Sequence, residues 1–98
     1  MATIIEKLSN LSRNKDLFNT FIYLYERWQD EEEYEDWNDY AKAMKQAVEV
    51  NGSLKGIVIL GATQEPFGLK FSYKGNYVKL YLKFTETKVQ FICEIGNQ

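Results

Sequence analysis

Seven carboxylates crowd the ten residues DEEEYEDWND at positions 30–39, interrupted only by Tyr34, Trp37 and Asn38. At that density they could hold a divalent cation, dock a basic partner, or simply solvate the start of a helix. A calcium loop needs ligands at alternate positions and a glycine at mid-loop, and this stretch has neither in order. Acid-pair catalysis needs one carboxylate of raised pKa, and a solvated run contains nothing to raise it. Neither a metal site nor acid-base catalysis is expected here.

If the stretch is helical, a 100° wheel puts Glu31, Glu32, Glu35, Asp36 and Asp39 within about 140° of one another. Acids in a first turn complement the helix dipole, and Asp30 with Glu33 has the spacing of a capping box. Glu35, Asp36 and Asp39 have no such reason. Glu31–Glu35 and Glu35–Asp39 are like-charge i,i+4 pairs, each destabilising by ~0.2–0.5 kcal/mol. Stability alone would favour a lysine at one of these positions. Two readings follow: a solvated face, or a docking surface for another protein with a basic surface. The sharper form of the second is an inhibitor whose helix mimics a nucleic-acid backbone.

A second set has the opposite sign. Lys70, Lys74, Lys79, Lys83 and Lys88 interleave with Tyr77 and Tyr81. Lysines meet phosphates and tyrosine rings stack on bases, so nucleic acid is the alternative partner. The bland reading is a solvated strand face, where lysine keeps a sheet soluble and tyrosine is a good strand former. Arginine, the better phosphate fork, is absent from residues 51–98. A third expectation is that this face meets the acidic helix of another copy, giving a homo-oligomer.

Other chemistries are excluded by type. The chain has no histidine, which removes Ser-His and Cys-His nucleophiles and the usual zinc ligand sets. The single cysteine, Cys93, has no partner for an internal disulfide and reads as a small core hydrophobe. The glycine-flanked stretch GATQEPFG at 61–68 contains a proline and lacks the Lys-Ser/Thr pair of a phosphate loop. A non-catalytic interaction or regulatory protein without cofactors is expected.

The elements that must position these residues are legible from hydrophobic period. Thr3 and Glu6 make a capping box before Ile4, Ile5, Leu8 and Leu11. Ser12 or Asn14 can cap a second helix at 15–28, whose apolar residues cover about 160° of the wheel. A third helix should start at Asp30, bury Tyr34, Trp37, Ala41, Met44 and Val48, and stop at Asn51-Gly52, residue types that tolerate left-handed backbone. Beyond Gly52 the period becomes two. Strands are expected at 56–60, 67–73, 77–84 and 88–95, with tight connections at 74–76 and 85–87 and Pro66 just ahead of the second strand. Their inward face carries Leu69, Phe71, Tyr73, Val78, Leu80, Leu82, Phe84, Val89, Phe91, Cys93 and Ile95; the lysines and Tyr77 and Tyr81 face out.

The expected fold is α+β in two layers: two or three N-terminal helices packed on one face of a four-stranded antiparallel meander. Ninety-eight residues make one domain, with a helical half at 1–51 and a sheet half at 52–98. The net charge of −2 hides −5 on residues 1–50 and +3 on residues 51–98, so two surfaces of opposite field are expected. MATIIEKLSN has no long apolar run, and no stretch approaches the ~18 apolar residues of a membrane span. A soluble cytoplasmic protein is the expectation.

Overall fold

Thr3 opens the first helix as its spacing predicts. In the computed structural model, which describes residues 3–30 and 37–97, Thr3 Oγ1 accepts the Glu6 N–H at 3.1 Å. The Glu6 carboxylate in turn accepts the Thr3 N–H at 3.3 Å. This box starts α1 (Ile4–Ser9), which tightens into a 3-10 turn at Asn10–Arg13.

Asn14 then does two jobs. Its Oδ1 accepts the Leu17 N–H at 3.1 Å, capping α2 (Lys15–Asp30). Its Nδ2 donates to the carbonyl of Asn51, the last residue of α3 (Trp37–Asn51). Asn51 Nδ2 donates on to Thr20 Oγ1 at 3.2 Å. The start of α2 is thereby clasped to the end of α3, which sets the two helices antiparallel.

Helix boundaries differ from expectation in two places. Asp30 is helical within α2, so it does not cap the third helix. No glycine or proline follows Trp28 to stop α2 there, and Gln29 and Asp30 continue it. The proposed capping partner Glu33 lies outside the described residues, as do Glu31, Glu32, Tyr34, Glu35 and Asp36. At the other end, α3 stops where expected but for a different reason. The left-handed residue is Ser53, at φ 56°. Gly52 is needed for space, because a Cβ there would lie 2.5 Å from the Val48 carbonyl oxygen and 2.7 Å from Leu11 Cδ2. α3 also buries Tyr40 and Ala47 beside Ala41, Met44 and Val48, a wider stripe than the sequence period marked.

The sheet comprises β1 (Val58–Gln64), β2 (Phe67–Tyr73), β3 (Asn76–Phe84) and β4 (Val89–Asn97), paired antiparallel in the order β1-β2-β3-β4. β1 begins and ends later than expected. Gly56 sits at φ 76°, incompatible with a strand, and the chain stays extended through Gln64 to the turn at Glu65-Pro66. A bulge between Ile59 and Gly61 makes Leu60 an extra residue. Lys74-Gly75, with φ of 48° and 84°, forms the two-residue turn that suits strand twist.

Helices cover one face only, giving the expected two-layer α+β arrangement. Leu69, Phe71, Tyr73, Val78, Leu80 and Leu82 are buried beneath them, with Phe21, Met44 and Leu8 supplied from the helices. Phe84, expected inside, lies at the sheet's end and stays half-exposed, its ring 4.6 Å from that of Tyr25. Among the described residues no helix is long and apolar enough to cross a membrane.

Candidate functional site

The uncovered face of the sheet carries five of the seven residues read as a basic-aromatic surface, namely Lys70, Tyr77, Lys79, Tyr81 and Lys83. Register places Lys70 directly opposite Lys79, and Lys79 directly opposite Glu94. Tyr77 lies two residue pairs toward the 74–75 turn and Tyr81 two pairs the other way, both on the same face. The other two lysines are elsewhere. Lys74 occupies the turn, its ammonium 5.4 Å from the centroid of the Tyr73 ring. Lys83 follows Tyr81 at the far end of the same face, and Lys88 lies in the β3–β4 connection.

Tyr81 organises the charges around it. It faces Gly68 on one side and Ile92 on the other. A Cβ at Gly68 would lie 2.2 Å from the Leu80 carbonyl oxygen and 2.5 Å from Tyr81 Cβ, so only glycine lets β3 come this close. The Tyr81 hydroxyl donates to Glu94 Oε1 at 3.0 Å, and the Lys79 ammonium sits 4.9 Å from the ring centroid. Desolvation, then the hydrogen bond and charge of Glu94, push the Tyr81 phenol above its ordinary pKa. Lys79 and Glu94 are thus both turned toward Tyr81, and no ion pair forms between them. Lys70 has no hydrogen-bonding or ionic partner among the described residues.

Beside this group lies a shallow depression of about 510 Å³, lined by Leu60, Lys70, Tyr77, Lys79, Glu94 and Gly96. Gly96, opposite Tyr77, leaves its floor open. Exposed Val58 and Leu60 extend the apolar surface toward β1. Sequence period missed Val58 and Leu60 because the run GIVIL at 56–60 is apolar throughout and does not distinguish the two faces. Glycines inside strand patterns, at 68 and 96, were the signal that backbone or ligand comes close there.

Of the acidic set, Asp39 is described, exposed in the first turn of α3. Glu31, Glu32, Glu35 and Asp36 lie outside the described residues. Among those that are described, no three or more thiol or carboxylate side chains converge on a cation site. Beside α3's start is an aromatic cluster in which Trp28 meets Trp37 at 5.5 Å and Phe67 at 5.8 Å. Cys93 lies on the helix side of β4, and its Sγ donates to the Leu8 carbonyl at 3.3 Å. Burial first, and then Glu94, push its thiol up to about 11, so it stays protonated and weakly nucleophilic at neutral pH.

No protein-family model, curated protein or solved structure matches this chain.

Proposed function

We propose that this protein is a non-catalytic interaction module that takes a partner protein on the open face of its sheet. The reading is carried by the Lys70–Lys79 pair. Like charges directly opposed across strands are destabilising, where an opposite-charge pair would contribute roughly 0.2–1 kcal/mol. The carboxylate that could compensate, Glu94, is held by Tyr81. A carboxylate from outside offsets the repulsion. Exposed Val58, Leu60 and Tyr77 alongside supply apolar contact, so the surface suits a partner segment that mixes acidic with aliphatic or aromatic side chains. The non-catalytic character rests on the lack of histidine and on the protonated, half-buried state of Cys93.

Single-stranded nucleic acid is the second reading, favoured by the exposed Tyr77 ring beside two lysines. Glu94 directly opposite Lys79 and the apolar surface on β1 weigh against phosphate. For the acidic residues of 30–39, of which 31–36 lie outside the described residues, the reading remains that they meet a basic partner and, in its sharper form, mimic nucleic acid.

The test compares the native chain with Lys70→Gln/Lys79→Gln and with Leu60→Ser in affinity purification from the native host. A partner retained by the native chain should be lost from both variants. One retained equally by all three chains removes the sheet-face reading. Single-stranded DNA that binds at about 50 mM salt, weakens as salt rises and is lost with both lysines would favour the nucleic-acid reading instead.

A further inference from the structure

The two edges of the sheet are defended differently. β1 carries the bulge at Leu60 and leads into Pro66, and both interrupt pairing with a further strand. β4 pairs with β3 in unbroken register from Val89 to Asn97. It has no proline, lysine or bulge, and Glu94 is its one charged residue.

The turns determine which backbone groups of β4 are unpaired. A two-residue turn makes Tyr73–Asn76 a hydrogen-bonded closing pair, so Asn76 directs its N–H and C=O toward β2. Tyr77 therefore directs its own toward β4. Alternation along β3 then assigns Gly96, Glu94, Ile92 and Gln90 as the residues bonded to β3. The groups of Phe91, Cys93 and Ile95 point away from the sheet. The bond from Thr85 N–H to the Lys88 carbonyl, 2.9 Å at the other end of the hairpin, requires the same parity. α1 and the 3-10 turn both pack on β4, and among the described residues no hydrogen bond from either reaches those outward N–H groups.

We propose that the β4 edge pairs antiparallel with β4 of a second copy about a two-fold axis at Cys93. Parity requires outward residues to face outward residues. An axis at Glu94 would oppose two carboxylates, and an axis at Ile92 would leave the last two residues of each strand beyond the partner strand. An axis at Cys93 pairs the whole strand. Phe91 of one copy then faces Ile95 of the other, and Glu94 faces Ile92 rather than itself. This self-match is what selects a second copy over an unrelated strand. The exposed Ile4 and Ile5 sit on α1, the helix packed against the same strand. The product is one continuous eight-stranded sheet with both helical layers on one side and both open faces on the other. It does not depend on the partner proposed for those faces.

Two measurements on the full chain test this. Sedimentation across a dilution series should show a monomer–dimer equilibrium. Ile92→Glu sets a carboxylate opposite Glu94 at two symmetric places and should weaken the dimer at least tenfold, whereas Ile92→Lys sets an ammonium there and should preserve it. Loss with both variants, or with neither, overturns the Cys93 axis. The second measurement needs no variant: the Phe91, Cys93 and Ile95 amides should gain protection from hydrogen exchange as protein concentration rises. A chain that stays monomeric near millimolar concentration, or whose three amides ignore concentration, overturns the proposal.

Discussion

At the scale of single residues, the most exacting position is Gly68. A Cβ there would meet β3 backbone at 2.2 Å, and backbone cannot move aside as a flexible side chain does. Gly68→Ala should therefore destabilise the domain by more than about 2 kcal/mol in urea unfolding. Asn14→Ala removes the cap of α2 and orphans the Asn51 carbonyl in one step, and should cost about 1–2 kcal/mol in the same assay. Cys93 adds a pH dependence. Its thiol titrates at about 11 when folded against 9.0 ordinarily, so the unfolded chain releases its proton first. Its contribution to stability is intact below pH 9 and lost as pH rises toward 11, and chemical denaturation of native and Cys93→Ala chains across that range checks it. The inward position of Cys93 was legible in strand alternation. The role of Gly68 was not, because strand period says nothing about how closely a neighbouring backbone approaches.

At the scale of elements, what the sequence showed was whatever depends on local chemistry. The Thr3–Glu6 box, a cap for α2 at Ser12 or Asn14 (Asn14 in the structure), β2 and the alternation of faces all follow from near neighbours. What it hid depends on tertiary partners: the displaced β1, the Leu60 bulge, and Tyr40, which is buried only because Trp37 and Phe67 pack around it. The β2–β3 turn offers a sharp test of local chemistry. Lys74 holds φ 48°, a left-handed conformation that suits asparagine better than lysine. Lys74→Asn should raise stability by about 0.5 kcal/mol, read as a higher urea midpoint at unchanged slope. A fall would mean that the Lys74–Tyr73 contact outweighs the turn preference.

At the scale of the whole molecule, Asp39 lies on the helical layer and Lys70 and Lys79 on the open sheet face, while the rest of the acidic run lies outside the described residues. Replacing Glu35 and Asp36, which lie outside the described residues, together with Asp39 by Gln or Asn separates charge from stability. The fold should be unchanged or slightly more stable, since like-charge pairs are relieved. Association with a basic partner should slow, most clearly at low salt, and stopped-flow mixing would show it. An unchanged rate would leave the acidic run as a solvated surface alone. The open face itself was foreseen, but its apolar half was not, since Val58 and Leu60 belong to the strand whose position the sequence misplaced. One last property arises from connectivity. Every strand pairs with its sequence neighbour, so the sheet can close hairpin by hairpin, with small loop entropy and a low contact order. The contact between Leu8 and Cys93 is the opposite case, joining positions 85 residues apart. Docking of the N-terminal helix therefore joins the most distant parts of the chain, and its local undocking should further expose the partly buried thiol. Alkylation of Cys93 would then act as a clock for that opening, ticking faster in Leu8→Ala while the sheet stays closed.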